Sequence, residues 1–151
     1  MEKDEIFMRM AIQQAEQAAA LGEVPVGAVV IRNEEVIASG HNLRETQKNG
    51  LYHAELIALH RACGVLGGWR LPGCTLYVTL EPCPMCMGAA INTRIARVVF
   101  GASDPKAGTC GSLFSLTAYP VNHKPEITGG ILEEECRLLL QSFFRKLRNS
   151  D

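Results

Sequence analysis

Two short stretches of this chain, His53-Ala54-Glu55 and Pro82-Cys83-Pro84-Met85-Cys86, together hold one imidazole, two thiols and one carboxylate. Cys83 and Cys86 are three positions apart, so they lie on one face if a helix begins at Cys83. A histidine and two cysteines are typical zinc ligands, and three protein ligands leave a fourth position open. The chain must therefore fold so that its two stretches meet at one point.

The carboxylate of Glu55 is not needed as a ligand, which leaves it free to carry a proton. On a regular helix, His53 and Glu55 would point roughly 200° apart. Both can face one cavity only if His53 lies at the irregular first turn, and we predict that placement. Zinc can lower the pKa of a bound water to about 7, and Glu55 could move protons between that water and a substrate as general acid and base. The spaced pattern H-x-E…P-C-x-x-C is typical of zinc deaminases that act on nucleobases.

Three other interpretations of these residues are a closed structural zinc site, a pair of core thiols and a redox-active C-x-x-C pair. A structural site usually has four protein ligands, and the sequence has no second C-x-x-C or histidine pair to complete one. The pattern therefore favours a catalytic zinc ion. Among the remaining cysteines, we expect Cys63, Cys74 and Cys136 in the core and Cys110, in a glycine-rich loop, to be exposed.

At 151 residues the chain fits a single domain, residues 1–151, with a substantial core. No apolar run approaches the roughly 20 residues of a membrane helix, and the charged start shows no secretory signal. Six cysteines without such a signal indicate reduced thiols and a cytoplasmic location. Because the formal net charge is −1, any nucleic-acid surface must be a local basic patch.

Apolar periodicity predicts strands that alternate with helices, which indicates a three-layer α/β/α domain. The expected helices cover Glu5–Ala20, Ala54–Leu66, Pro84–Ile91 and Leu132–Leu147, with a possible short helix at Leu113–Ala118. The expected strands cover Val24–Ile31, Val36–Ser39, Thr75–Thr79 and Arg97–Phe100, with a strand or extended loop at Glu126–Thr128. Asn42–Gly50 is expected to be a polar loop.

The chain resembles the bacterial tRNA-specific adenosine deaminases of the cytidine deaminase-like superfamily over nearly its whole length. The resemblance is carried, besides the zinc pattern, by residues 21–28 (LGEVPVGA), 41–42 (HN), 76–83 (LYVTLEPC), 98–102 (VVFGA), 104–106 (DPK), 111–113 (GSL), 122–123 (NH) and 143–145 (FFR). It implies a central five-stranded mixed sheet between helices and a homodimer. The implied substrate is the wobble adenosine in the anticodon stem-loop of an arginine tRNA, which is converted to inosine.

The same resemblance implies roles for individual residues. His53, Cys83 and Cys86 would bind one Zn²⁺ per subunit, and Glu55 would be the general acid and base. Asn42 would hydrogen-bond the flipped base or its ribose, Asp104 would contact a neighbouring nucleotide, and Phe144 would contact the splayed anticodon loop. Taken alone, Asn42 and Asp104 are equally good turn residues. The basic residues near Phe144 could touch phosphates or simply be a solvated helix end.

One segment departs from the family pattern. Members commonly carry Pro-Thr-Ala before His-Ala-Glu, whereas this chain has Gly50-Leu51-Tyr52. The threonine that could cap the helix is missing, and Tyr52 could either pack in the core or line the base pocket.

Two competing functions remain open at this point. The nearest is a deaminase of a small free base or nucleoside that uses the same zinc chemistry. The Gly-Glu-Val-Pro segment and the aromatic and basic C-terminal helix argue against it. The other is a non-catalytic zinc module or an inactive partner subunit, and either would be expected to lack the free carboxylate of Glu55.

Overall fold

The fold is built on one five-stranded mixed sheet, seen in a computed structural model that describes residues 2–149. Its helices are α1 (Glu2–Ala20), α2 (Ala54–Leu66), α3 (Pro84–Asn92) and α4 (Glu133–Asn149). Its strands are β1 (Gly27–Arg32), β2 (Glu35–His41), β3 (Cys74–Leu80), β4 (Arg97–Ala102) and β5 (Glu126–Thr128). The strand order is β2-β1-β3-β4-β5, with β1 antiparallel to both neighbours and β3, β4 and β5 parallel.

Both faces of the sheet are covered by helices, because successive side chains of a strand point to opposite faces. Within β1, Val30 packs into the cluster that holds α2 and α3, whereas Val29 and Ile31 pack into the cluster that holds α1 and the start of α4. The predicted three-layer α/β/α fold with a five-stranded mixed sheet is therefore confirmed. Within residues 2–149, no helix is both long and apolar enough to cross a membrane.

The strand directions gather several chain segments at one edge of the sheet. β3 and β4 are parallel, so their carboxyl ends meet there, and the antiparallel β1 brings its amino end to the same edge. Gly27 at the start of β1 pairs with His41 at the end of β2. Ligands of open α/β sheets bind outside the carboxyl ends of the strands, and His53, Glu55 and Cys83 lie there.

Helix α1 is fixed to the sheet by a buried polar network as well as by apolar packing. Asp4 is 5% exposed and accepts two hydrogen bonds from Arg97, both 2.8 Å, and one from the Tyr77 hydroxyl at 2.6 Å. Arg97 also donates to the Thr128 hydroxyl at 3.0 Å. Gly27 of β1 lies so close to the middle of α1 that an added Cβ would overlap the backbone of α1 at Ala11 and Ala15. α1 and the sheet therefore form one rigid unit.

Two local predictions differ from the structure. β1 begins at Gly27 rather than Val24, because Pro25 has no N–H to donate and Val26 bonds back to the Val24 carbonyl. Of the predicted helix over Leu113–Ala118, only a 3₁₀ turn at Leu116–Ala118 forms.

The cysteine predictions are mostly confirmed. Cys74 and Cys136 are buried, and Cys63 is partly buried against the core. The expectation that Cys110 is exposed is wrong, because its thiol packs 3.8 Å from the Met87 sulfur and burial raises its pKa to about 12.

Candidate active site

The imidazole and the two thiols meet at the N-termini of two helices. His53 is the N-cap of α2 and has extended backbone angles (φ −78°, ψ 153°), as predicted for an irregular first turn. Cys83 is the N-cap of α3, and Pro84 occupies its first turn, where a missing N–H costs nothing. The His53 Nδ1 lies 3.6 Å from the Cys83 sulfur and 3.5 Å from the Cys86 sulfur. The three donor atoms lie within 4.8 Å of one another, close enough to bind a single metal ion.

The electrostatics of this cluster favour a thiolate at Cys83. A hydrogen bond from Cys86 and another from His53 lower the pKa of the Cys83 thiol to about 4. The same interaction raises the pKa of Cys86, which is also buried. The bond to Cys83 raises the pKa of His53. Because thiolate is the form of cysteine that binds metals, Cys83 is poised to accept a cation.

Glu55 lies in the first turn of α2, on the wall of the same pocket. Its side chain is 4% exposed, and this burial raises the pKa of its carboxyl to about 7. The pocket has a volume of about 180 Å³ and is lined by Glu55, His53 and Cys83 together with segments from the sheet edge. A buried carboxyl beside a His/Cys/Cys cluster can exchange protons with a small molecule bound there.

Asn42 lines the pocket directly after β2, and its amide is already in contact with the protein. Its Nδ2 donates to the Val24 carbonyl at 3.2 Å, and its Oδ1 accepts from the Arg44 N–H at 3.0 Å. An amide has two N–H donors and two lone pairs, so one of each remains for a ligand. Asn42 thus joins two walls of the pocket while facing its interior.

Asp104 follows β4 and also lines the pocket. Its Oδ1 accepts hydrogen bonds from the backbone N–H groups of Lys106 at 3.0 Å and Ala107 at 3.2 Å. This local turn fixes the carboxylate in place and accounts for the turn-forming character expected from the sequence.

Phe144 and Tyr52 do not line this pocket. Phe144 lies on α4, is 42% exposed and stacks edge-to-face on Phe143 at 5.4 Å. Tyr52 is 38% exposed and lines a separate groove of about 680 Å³ with Leu51 and the outer side of α2. Neither alternative predicted for Tyr52, core packing or the base pocket, is what the structure shows.

Three charged residues in or beside the pocket were not predicted from the sequence. Arg44 lines the pocket beside His53. Glu23 is 1% exposed and accepts hydrogen bonds from the N–H groups of Glu45 at 3.2 Å and Thr46 at 2.5 Å, which fixes the loop after β2. Glu81 lies in the pocket wall between β3 and Cys83. A glutamate placed directly beside an apolar strand segment was the available signal for both carboxylates.

Both buried glutamates stay ionised for the same reason. Burial alone would raise their pKa values. Hydrogen bonds from Thr46 and Glu45 nevertheless hold the pKa of Glu23 below its usual value. Bonds from Ser112, Asp104 and Cys110 do the same for Glu81.

Comparisons with known proteins agree with this geometry. The family model of the MafB19-like deaminases matches residues 1–148. The tRNA-specific adenosine deaminase of Bacillus subtilis (strain 168) is 52% identical over 149 residues, which cover 98% of this chain and 92% of that protein.

Solved structures share the fold. One from a study of A-to-I editing by tRNA:A34 deaminases at the wobble position of transfer RNA superposes with a TM-score of 0.86 and 40% identity. The match covers 89% of this chain and 98% of that one. A guanine deaminase from Nitrosomonas europaea superposes with a TM-score of 0.76 and 25% identity, covering 92% of this chain and 83% of that one. The chain therefore belongs to the family of tRNA-specific adenosine deaminases.

Proposed function

We propose that this chain converts the wobble adenosine of an arginine tRNA to inosine, with release of ammonia, as a single zinc-dependent deaminase domain over residues 1–151. Met1, Ser150 and Asp151 lie outside the described residues. The observation that carries the proposal is the convergence of the His53, Cys83 and Cys86 donor atoms with the Glu55 carboxylate at one small pocket. Membership of the tRNA-specific adenosine deaminase family supports the choice of substrate.

The donor set fits zinc. Two sulfurs and one imidazole nitrogen within 4.8 Å suit a borderline-soft ion that prefers four ligands. His53, Cys83 and Cys86 would hold it and leave one position open. When bound, zinc lowers the pKa of a water molecule to about 7, so that hydroxide is available at neutral pH.

The residues around the cluster would carry out the remaining steps. Glu55 would take one proton from the attacking water and deliver it to a ring nitrogen of the base. It would then take the second proton, from the hydroxyl group newly bound to the ring carbon, and pass it to the amino group, which leaves as ammonia. Asn42 has one N–H and one lone pair left to hold the base or its ribose. The volume of about 180 Å³ suits a single extruded base and not a paired one.

From the pocket wall, Asp104 would contact a nucleotide next to the target. Phe144, with its exposed ring on α4, would stack on a base of the splayed loop. Arg44 at the pocket wall and the basic end of α4, which includes Lys146 and Arg148, supply positive charge for phosphates.

We also propose that the protein is a homodimer in the cytoplasm. The groove of about 680 Å³ beside α2 is bordered by the exposed apolar side chains of Leu51 and Tyr52, and a second copy of the chain could cover them. The cysteines are all unpaired, as in a reducing compartment. Light scattering of the purified protein should give twice the chain mass of 16.5 kDa.

Deamination of a small free base is the second candidate. It is favoured by the likeness to the guanine deaminase of Nitrosomonas europaea and by a pocket that accommodates only one base. The exposed Phe144 and the basic end of α4 have no role under this alternative.

The deciding experiment presents both substrate classes to one enzyme preparation. An anticodon stem-loop with a wobble adenosine is compared with free adenosine, adenine, guanine, cytidine and cytosine. We expect inosine in the RNA alone, and about one zinc ion per chain by elemental analysis. Turnover of a free base with untouched RNA would leave the zinc chemistry in place and overturn the substrate assignment.

A further inference from the structure

One buried acidic side chain of the pocket wall, Glu81, takes no part in the proposed mechanism. Glu81 lies directly after β3, two residues before Cys83, and is 2% exposed. Among residues 2–149, no lysine or arginine forms an ion pair with it. A buried carboxylate without a neighbouring cation destabilises the fold unless hydrogen bonds satisfy it. The groups that donate to Glu81 therefore indicate its role.

The Glu81 carboxylate is surrounded entirely by donors from one loop. Its Oε1 accepts from the Asp104 N–H at 3.0 Å and from the Ser112 hydroxyl. Its Oε2 accepts from the Cys110 N–H at 2.8 Å and from the Ser112 N–H at 3.1 Å. These four hydrogen bonds occupy both oxygens, so Glu81 is not available for proton transfer.

The loop that supplies these donors, residues 103–112, follows β4 and wraps around the carboxylate. Gly108 lies against it so closely that a Cβ there would overlap the carboxyl group. The Thr109 N–H and hydroxyl both donate to the Pro82 carbonyl at 3.0 Å, which fastens the same loop to the segment before Cys83. The loop therefore takes its shape from Glu81.

The same loop carries the pocket wall opposite α2. Asp104 and Ala107 line the pocket together with Glu55 and His53, and the Asp104 N–H is one of the four groups bound by Glu81. A displacement of that wall by about 1 Å can lower a rate by roughly a hundredfold when it misplaces the substrate.

We propose that Glu81 is a positioning residue for deamination: it holds loop 103–112 so that Asp104 and Ala107 keep the RNA in place with the target base against Glu55. This inference rests on the proposed substrate pocket. Glu81 acts only through the loop, and it neither binds the metal nor moves a proton.

The experiment compares Glu81→Gln with Glu16→Gln, an identical chemical change at an exposed position of α1. The glutamine keeps the side-chain size but turns one acceptor end into an N–H₂ group that faces donors. We expect kcat/KM for the anticodon stem-loop to fall by about 10- to 100-fold in Glu81→Gln. Zinc content should stay near wild type, and Glu16→Gln should be indistinguishable from wild type.

A double-mutant comparison with Asp104 distinguishes a positioning role of Glu81 from a purely structural one. If Glu81 acts by placing Asp104, the loss caused by Glu81→Gln should be at least about threefold smaller in an Asp104→Ala background, because the carboxylate that Glu81 positions through the Asp104 N–H is then already absent. Losses that simply multiply, or a kcat/KM per folded molecule equal to wild type, would overturn the proposal. An inactive wild-type protein would instead refute the proposed function.

Two variants test the same idea with the carboxylate intact, in case Glu81→Gln does not fold. Gly108→Ala should push the loop away from Glu81 and lower kcat/KM like Glu81→Gln. Ser112→Ala removes the hydroxyl but keeps the N–H donors and should cause a smaller loss. Wild-type kcat/KM in Gly108→Ala would contradict the proposal.

Discussion

Replacing Glu55 with glutamine isolates the proton-carrying role, because the side chain keeps its size but cannot take up a proton at neutral pH. The pocket holds two other carboxylates, and both already accept hydrogen bonds from the protein. Of its other carboxylates, Glu81 accepts four hydrogen bonds, and the Oδ1 of Asp104 closes its own turn. One acid–base step is worth about 10²- to 10⁴-fold in rate. Because Glu55 would serve several steps, we expect kcat to fall by about 10⁴-fold, roughly 5 kcal/mol of activation free energy.

The assay is single-turnover conversion of the wobble adenosine in a stem-loop, with the enzyme in excess over RNA. Zinc content and RNA affinity should remain close to wild type, since Glu55 is not one of the three clustered donors. A kcat within tenfold of wild type would refute the assignment of Glu55 as the proton carrier. Loss of zinc would show that its carboxylate is a ligand instead.

Three further predictions concern the metal, the fold and the RNA. Cys86→Ala should reduce zinc to well below one ion per chain and abolish turnover, as measured by elemental analysis and the same assay. Asp4→Asn should lower the free energy of unfolding by about 3 kcal/mol at pH 7, measured by urea titration, because it breaks a largely buried pair with Arg97. The hydrogen bonds from Arg97 lower the pKa of Asp4 in the folded protein, so its contribution is present above the unfolded pKa of about 4. Wild type and variant should therefore converge as the pH falls through the lower, folded value. RNA binding, followed by fluorescence anisotropy, should weaken by roughly tenfold or more between 50 and 200 mM salt, whereas salt-independent binding would indicate a small-molecule substrate.

The sequence predicted the elements that depend on local pattern. The boundaries of α2 are as expected, because His53 stops the helix from extending back and Gly67 ends it in a left-handed conformation (φ 73°). The meeting of His53 with Cys83 and Cys86 also followed from residue types and spacing. The helix boundaries depend on local chemistry, and the meeting of the three ligands was predictable because their residue types imply one shared metal ion.

Features that depend on tertiary contacts were not predictable in the same way. The partial burial of Cys110 results from its contact with Met87 on a different element, and nothing near it in the sequence signals that contact. The placement of Tyr52 in an outer groove follows from the path of the loop after β2. The roles of Glu23 and Glu81 required knowing which distant N–H groups each carboxylate meets.

The anchoring of α1 through Asp4 has a consequence for fusion proteins. Asp4 is bound to Arg97 at the amino end of β4, whereas the pocket lies beyond the carboxyl end of that strand, roughly 15 Å away along the strand. A domain joined ahead of α1 would begin near the amino end of β4, at the opposite end of the strand from the pocket, and would leave the mouth of the pocket unobstructed. A domain joined after α4 would start near Phe144 and would compete for the surface where we propose that the RNA loop binds.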